Sequence, residues 1–318
     1  MPPTPRIDVV VVTWNHNSAL ERCLAALAAS DRETFEFHRI VVVDNASAPP
    51  CRVTSRPPLP PVTLLTNTDN LGFAVACNQG AADSRADYIL FLNPDTEISP
   101  TAIASAIRHL EDSAAASTAI VGLPLEDRAA VRQATCGRFP SATNVFTQTS
   151  GLSRLAPRRF TGMRMTDWDH RDTRLVDYVS GACLFVRRPV FEQLGGFDER
   201  LTVYLEDADL SLRARHLSLS TCFVATGSVM HIGGWSTGRN RSLRLAHAWR
   251  SLLTYGWKHL GWFDAGLVTL TVLVVAPAAR LGQAVMHRSG KEVLAACAGY
   301  ARFWRLVTRD LVGSTRQA

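Results

Sequence analysis

Residues 7–13 read Ile-Asp-Val-Val-Val-Val-Thr, and no other feature constrains the fold of this 318-residue chain more tightly. A run so rich in β-branched side chains suits a parallel strand covered on both faces. Trp14-Asn15-His16-Asn17 break it, and over 18–29 Leu20, Cys23, Leu24 and Leu27 recur at helical spacing, giving strand–loop–helix. The pattern repeats. A second apolar run at 39–43 ends in Asp44-Asn45-Ala46-Ser47, and a third at 62–65 is followed by Asn67-Thr68-Asp69-Asn70-Leu71-Gly72-Phe73. A fourth at 87–92 stops at Asn93-Pro94-Asp95-Thr96-Glu97, after which Ser99-Pro100 reads as a helix start. Strands that end one after another in polar loops describe an α/β sheet with a nucleotide-binding half.

Charge divides the chain in two. From residue 239 onward 12 Lys and Arg stand against Asp264, Glu292 and Asp310, a net of +9; with +6 for the whole chain, the remainder carries −3. A basic tail suits nucleic acid, an anionic membrane or a solvated helix face. The uncharged aliphatic stretch at 265–279, preceded by Trp257, Trp262 and Phe263, argues against nucleic acid. As a helix it would reach roughly 22 Å, short of the ~30 Å hydrocarbon core, and Pro277 would interrupt it. An interfacial helix is therefore expected rather than a span; the alternative is a helix buried on the rest of the chain or on a second copy. Seven scattered cysteines without C-x-x-C spacing read as buried thiols of a reducing cytosol. Met1 to Arg6 lead directly into the first strand, so no secretory leader is expected.

Three acidic or imidazole features carry chemistry. Asp95 closes a strand, where open α/β sheets take their ligands. A hard cation such as Mg²⁺ or Mn²⁺ prefers oxygen ligands and shares them with a diphosphate. Far downstream Glu206-Asp207-Ala208-Asp209 opens a helix, and His231 follows in His-Ile-Gly-Gly-Trp-Ser. Each alone reads equally as a loop carboxylate, a solvated helix face or a structural histidine. Together they suffice for metal-assisted transfer from a nucleotide-activated donor. Asp44 at the end of the second strand is placed to hold a ribose or base. Asp209 and Arg213 lie four apart, the spacing of a helical ion pair.

Several stretches resemble the family-2 glycosyltransferases, inverting enzymes of the GT-A fold. They are Val-Val-Thr-Trp-Asn (11–15), Val-Val-Asp-Asn-Ala-Ser (42–47), Asn-Leu-Gly-Phe-Ala (70–74), Phe-Leu-Asn-Pro-Asp-Thr (91–96), Ser-Gly-Ala-Cys-Leu-Phe-Val-Arg-Arg (180–188), Gly-Gly-Phe-Asp-Glu (195–199) and Glu-Asp-Ala-Asp-Leu (206–210), with His231. They occur in the family's order. Within the family the chain looks most like bacterial rhamnosyltransferases that build cell-envelope glycans on lipid carriers.

The resemblance implies an α/β GT-A fold with a Rossmann-like half, an acceptor half, a mixed central sheet and a helical appendage. Residues 1–238 would form the catalytic domain, with 1–100 binding the nucleotide sugar and 101–238 serving the acceptor; 239–318 would be the tail. Thr13, Asn15, Asp44, Asn45, Asn70, Gly72, Asn93 and Asp95 would line the donor pocket, and Gly72 would let the backbone approach the donor. Asp95 and His231 would hold the divalent metal, His231 alternatively touching phosphate. Asn93 stands where the family more often has aspartate, so a charge is missing there. Asp207 would be the general base, with Glu206 and Asp209 as competitors, and Ser180 and Gly181 would line the acceptor side. Gly195 to Glu199 would form the turn presenting the acidic helix. Trp235, Ser236, Arg239 and Arg241 would close over the diphosphate, or simply form a mobile basic loop.

The partners implied are a deoxythymidine or uridine diphosphate sugar, with rhamnose the first guess and a UDP-hexose the alternative, a glycan or polyprenyl-linked acceptor, and an anionic membrane surface. A homo-oligomer is the alternative use of the tail. The expected location is cytoplasmic, at the inner face of the cell membrane. A nucleotidyltransferase would open on a glycine-rich phosphate loop, which Val-Val-Thr-Trp-Asn is not. A silent binding domain would lack Asp207, Asp95 or His231.

Overall fold

The computed structural model describes residues 3–54, 56–232, 241–286 and 290–314. Along the chain run β1 (Arg6–Thr13), α1 (Asn17–Ala28), β2 (Glu36–Asp44), β3 (Val62–Thr66), α2 (Phe73–Ala81), β4 (Tyr88–Leu92), β5 (Thr96–Ile98) and α3 (Ala102–Glu111). Then come β6 (Thr118–Gly122), β7 (Leu125–Glu126), β8 (Cys136–Gly137), α4 (Ala142–Ser150), α5 (Leu152–Leu155), β9 (Arg174–Val176), β10 (Tyr178–Val179) and β11 (Cys183–Arg187). The remainder is α6 (Arg188–Gln193), α7 (Glu206–His216), β12 (Ser220–Phe223), β13 (Val229–His231), α8 (Arg241–His259), α9 (Trp262–Leu270), α10 (Ala276–Met286) and α11 (Gly290–Ser314).

Eight strands form the main sheet in the order β3-β2-β1-β4-β11-β6-β12-β9. The first four are parallel, as their continuous apolar runs require, while β11 runs antiparallel to both β4 and β6 and makes the sheet mixed. From β1 the chain winds outward through β2 and β3, then returns to place β4 on the other side of β1. That reversal opens a crevice at the carboxyl ends of the strands. Leu20, Leu24 and Leu27 of α1 are fully buried with Val9, Val11 and Ile40 of the sheet. A short sheet, β5-β13-β7, stands beside the main one. Helix α3 begins at Ala102 with Thr101 as its cap, so Pro100 lies just outside the helix rather than in its first turn.

Two compact units result, and they do not follow a single cut along the chain. The first holds residues up to 138 with 168–202 and 206–232. The second gathers 139–167, 203–205 and the described residues from 241 onward. Its core joins Val145 of α4, Trp249 and Leu252 of α8, Val268 and Val272 of the next helix, and Phe303 of α11. Trp249 stacks on Tyr300 with ring centroids 4.0 Å apart. Six of the seven cysteines are buried as expected, while Cys297 is exposed.

Pro277 does not end the tail helix. A π turn, Thr271–Val275, joins α9 to α10, and the Ala276 N–H reaches back to the Thr271 carbonyl. In that register the next N–H would face the Val272 carbonyl, but proline has none. The Tyr300 hydroxyl donates to that carbonyl instead, at 3.2 Å. A continuous helical segment of 23 residues results, Trp262–Ala284, with a mean hydropathy of 1.7 over its most apolar 18-residue window. At about 1.5 Å per residue it exceeds the ~30 Å hydrocarbon core, so the expectation that it is too short is overturned. Length and composition alone would let it cross a bilayer.

Candidate active site

The donor-side residues sit where the strands end. Thr13 pairs with Asp44 across β1 and β2, and both are buried. Asp44 accepts the Ser47 N–H at 2.9 Å on one oxygen and the Cys51 N–H at 2.6 Å on the other. It therefore ties down its own loop, a use the strand-end argument did not foresee. Asn15 adopts φ 60°, donates its N–H to the Ser47 hydroxyl and accepts the Ala48 N–H at 2.7 Å. Asn45 donates to the Asn70 side chain at 2.9 Å and the Gly72 carbonyl at 3.1 Å. Its own oxygen accepts from Leu71 and Asn67. This amide holds the Asn67–Gly72 loop against β2.

Gly72 needs to be glycine for two reasons. Its φ is +92°, and a Cβ would stand 2.8 Å from the Thr202 carbonyl oxygen. The close backbone approach expected at this glycine is thus made to Thr202, whose carbonyl also accepts the Phe73 N–H at 2.6 Å. The Gly195–Gly196 turn, both residues at positive φ, is clasped by Arg213, which donates to the Leu194 and Gly196 carbonyls.

Asp95 and His231 meet because β13 runs antiparallel to β5, placing His231 opposite Thr96, while the Ile232 N–H donates to the Asp95 carbonyl at 3.0 Å. The imidazole Nε2 lies 3.5 Å from Asp95 Oδ1. Burial alone would raise the Asp95 carboxyl, but His231 holds it below its ordinary value. On the other ring nitrogen, Nδ1 faces the Gln133 side-chain oxygen at 3.4 Å, and the Gln133 amide donates back to the His231 carbonyl. Gln133 thereby orients the ring, with Nδ1 toward its side-chain oxygen and Nε2 toward Asp95. Nothing in the sequence marks Gln133, since the contact spans 98 positions and belongs to no motif.

Among the described residues no third acidic, histidine or cysteine side chain joins this pair. A carboxylate and an imidazole still fit a divalent ion that takes its remaining ligands from a diphosphate and water. Asn93 contributes backbone here: its N–H donates to the Ala182 carbonyl at 2.9 Å, and its carbonyl accepts the Thr96 hydroxyl at 2.6 Å.

The acidic helix start is built differently. Tyr204 (φ 70°) and Leu205 (φ 65°) are both left-handed just before α7, a conformation costing on the order of 1–3 kcal/mol for each such residue. Glu206 is 6% exposed, and its Oε2 has no hydrogen-bond partner among the described residues. Burial, reinforced by the Asp207 charge, drives its carboxyl well above the usual range. Asp207, which keeps partial exposure, accepts the Gly181 N–H at 2.9 Å and the Ala208 N–H at 2.8 Å. Burial raises it, and those N–H groups oppose the rise. The two carboxyls titrate as a pair, both raised by burial and Glu206 the further of the two. Asp209 is fully buried in the ion pair with Arg213, 2.8 Å, that the spacing predicts. Ser180 accepts the Ala182 N–H at 3.3 Å.

One short stretch joins these groups. Gly181 donates to Asp207, and the Ala182 carbonyl receives Asn93, two residues before Asp95. The antiparallel pairing of β11 with β4 makes this juxtaposition, setting Cys183 opposite Leu92. Trp235, Ser236 and Arg239 lie outside the described residues; Arg241 begins α8, with its side chain also outside them.

Comparison with known proteins bears on the family and the fold. Over 283 residues, 83% of this chain and 88% of the relative, it is 29% identical to N-acetylglucosaminyl-diphospho-decaprenol L-rhamnosyltransferase of Mycobacterium tuberculosis. It is 25% identical to the O-antigen biosynthesis protein RfbC of Myxococcus xanthus over 72% of this chain, but only 17% of that protein. The fold matches the mannosyltransferase PcManGT of Pyrobaculum calidifontis, solved with GDP-Man and Mn²⁺, with a TM-score of 0.53, 16% identity and coverage of 99% of this chain and 81% of that one. It also matches GalNAc-T7, solved with UDP, GalNAc and Mn²⁺, with a TM-score of 0.52, 14% identity and coverage of 85% and 54%. The sequence model of glycosyl transferase family 2 covers residues 8–195, from the first strand to the turn before the acidic helix, and the chain belongs to that family as a glycosyltransferase of the GT-A fold.

Proposed function

We propose that the enzyme transfers rhamnose, with inversion, from a nucleoside diphosphate sugar to a hydroxyl of a polyprenyl-diphosphate-linked sugar. The observation that carries this reading is the Asp207–Gly181–Ala182–Asn93 chain of contacts, which brings a carboxylate beside the strand end bearing Asp95. An inverting displacement needs a base on the face of the sugar opposite the leaving group. Asp207 takes the acceptor proton as the acceptor oxygen bonds to the anomeric carbon and the diphosphate departs. Thr13, Asn15 and the loops held by Asp44, Asn45 and Asn70 form the nucleoside pocket. Asp95 and His231 would hold a divalent cation, which when bound neutralises charge on the diphosphate as a Lewis acid. The sugar and lipid assignments are supported by the mycobacterial relative's name. Purified chain assayed against a nucleotide-sugar panel with polyprenyl-diphosphate N-acetylglucosamine should release nucleoside diphosphate only with a rhamnosyl donor. Release from a UDP-hexose alone would replace the donor assignment.

The same reading takes the helical unit to the inner face of the membrane. Phe263, Leu267, Leu270, Val274 and Leu281 are exposed along one flank of α9 and α10, while Val268, Val272 and Ala276 pack inward. The other helices of the unit carry Arg244, Arg250, Lys258, Arg302 and Arg305. Each such charge costs about 2.5–3.5 kcal/mol at a bilayer centre, which favours a bundle lying at the interface over one that spans. Basic residues near anionic lipid each add about 1 kcal/mol of attraction. In flotation, the full-length chain should rise with phosphatidylglycerol vesicles at low salt and partly detach as salt increases. A chain that ignores the vesicles and sediments as a dimer would assign the apolar flank to a second copy.

A further inference from the structure

Residues Val203, Tyr204 and Leu205 stand in the chain between Thr202 and Glu206, both of the first unit, yet belong to the second. All three are held there. The Ser251 hydroxyl of α8 donates to the Val203 carbonyl at 2.7 Å, Arg244 Nε donates to the Tyr204 hydroxyl at 3.0 Å, and Leu205 packs on the Trp249–Phe303 core. Ser251 is 1% exposed, so its own side chain is kept from water. Its choice of partner is telling. Thr254, Thr269 and Thr271 donate their hydroxyls to carbonyls four residues back in their own helices, the ordinary outlet for such a group. Ser251 reaches across to Val203 instead. The residues it and Arg244 fasten lead directly into the left-handed pair Tyr204–Leu205, and two successive non-glycine residues in that region persist only where their surroundings impose it. The next two residues are Glu206 and Asp207, so the φ and ψ of this pair set the direction in which α7 starts.

We infer that Ser251 and Arg244 are positioning residues for catalysis: by fastening Val203 and Tyr204 to α8 they fix the backbone from which Asp207 is presented. The inference rests on Asp207 acting as the base. A base displaced by about 1 Å loses up to a hundredfold in rate, while donor binding at the strand ends is untouched.

The test uses detergent-purified full-length chain with dTDP-rhamnose and polyprenyl-diphosphate N-acetylglucosamine as probes. Ser251→Ala and Tyr204→Phe should each lower kcat roughly tenfold or more, with the dissociation constant for dTDP within about twofold of the parent and the melting temperature little changed. Ser251→Thr, which keeps the hydroxyl, should restore most of the rate. A full kcat in Ser251→Ala, or a loss that matches a lost folded fraction and is not rescued by threonine, overturns the inference. Asp207→Asn is measured alongside. If it is dead while Ser251→Ala is fully active, only the positioning role falls. If Asp207→Asn turns over normally, or the unaltered chain does not use these probes, the catalytic reading fails and this inference with it.

Discussion

The loop after β2 and the first turn of α7 both aim carboxylates at backbone N–H groups, and they use them in opposite ways. Asp44 has each oxygen engaged by an N–H of its own loop, and Asn45 beside it has its donor and acceptor atoms committed. This region stores rigidity: a nucleoside would meet a preformed surface. At α7 a buried glutamate keeps an oxygen without a partner, an aspartate next to it keeps partial exposure, and the preceding backbone is strained. That region stores free energy where, on the proposed function, a proton would move. Polar groups at a binding site can be fully satisfied before the ligand arrives, whereas a base must retain unspent basicity.

The comparison breaks most visibly at Asp207. Asp207→Asn keeps the shape and the Gly181 contact but removes the basicity, so kcat should fall by about 10²–10⁴ with donor affinity nearly unchanged. Stopped assays and dTDP titration read the two quantities separately. Asp44→Ala should do the reverse. It strands two buried N–H groups and should cost roughly 2–4 kcal/mol of stability, read by chemical denaturation, while the residual folded enzyme still transfers sugar. Gln133→Ala tests the ground between the two regions. Freed of its orienting partner, the His231 ring should bind metal about tenfold more weakly, measured by Mn²⁺ titration of nucleotide-loaded protein. The smallest effect carries a sign. The folded-state pKa of Glu206 lies above its unfolded value, so its contribution to stability is complete below the ordinary carboxylate range and is lost as pH rises through the raised value. Glu206→Gln should therefore gain stability relative to the parent as pH rises from 4 to 8. A constant difference across that range would mean that Glu206 is not held neutral.

The parallel half of the sheet was legible because Ile7, Val9 to Val12 and the later apolar runs declare buried strands and their ends declare loops. Asp95, Asp207 and His231 were legible as candidates one at a time. That Asp95 and His231 are neighbours depends on the β13–β5 ladder, whose three-residue strands carry no periodic signal. Gln133 was invisible for the same reason. Asp44 read as a ligand-facing carboxylate because sequence shows a strand end but not the loop folding back on it. The tail was misjudged at Pro277: a π turn carries the helix through the proline, and Tyr300, far along the chain, supplies a donor to the Val272 carbonyl. Nor did any local pattern show that 139–167 and 203–205 gather with the tail, since that grouping is made by packing around Trp249 and Phe303.

The central claim is that Asp207 removes a proton from the acceptor and does not attack the sugar. The anomeric configuration of the transferred sugar, compared by NMR in donor and product, tests it most directly. A single displacement assisted by a base predicts that the product has the configuration opposite to the donor's. Retention would require two displacements through a covalent or ion-paired intermediate and would contradict the role given to Asp207.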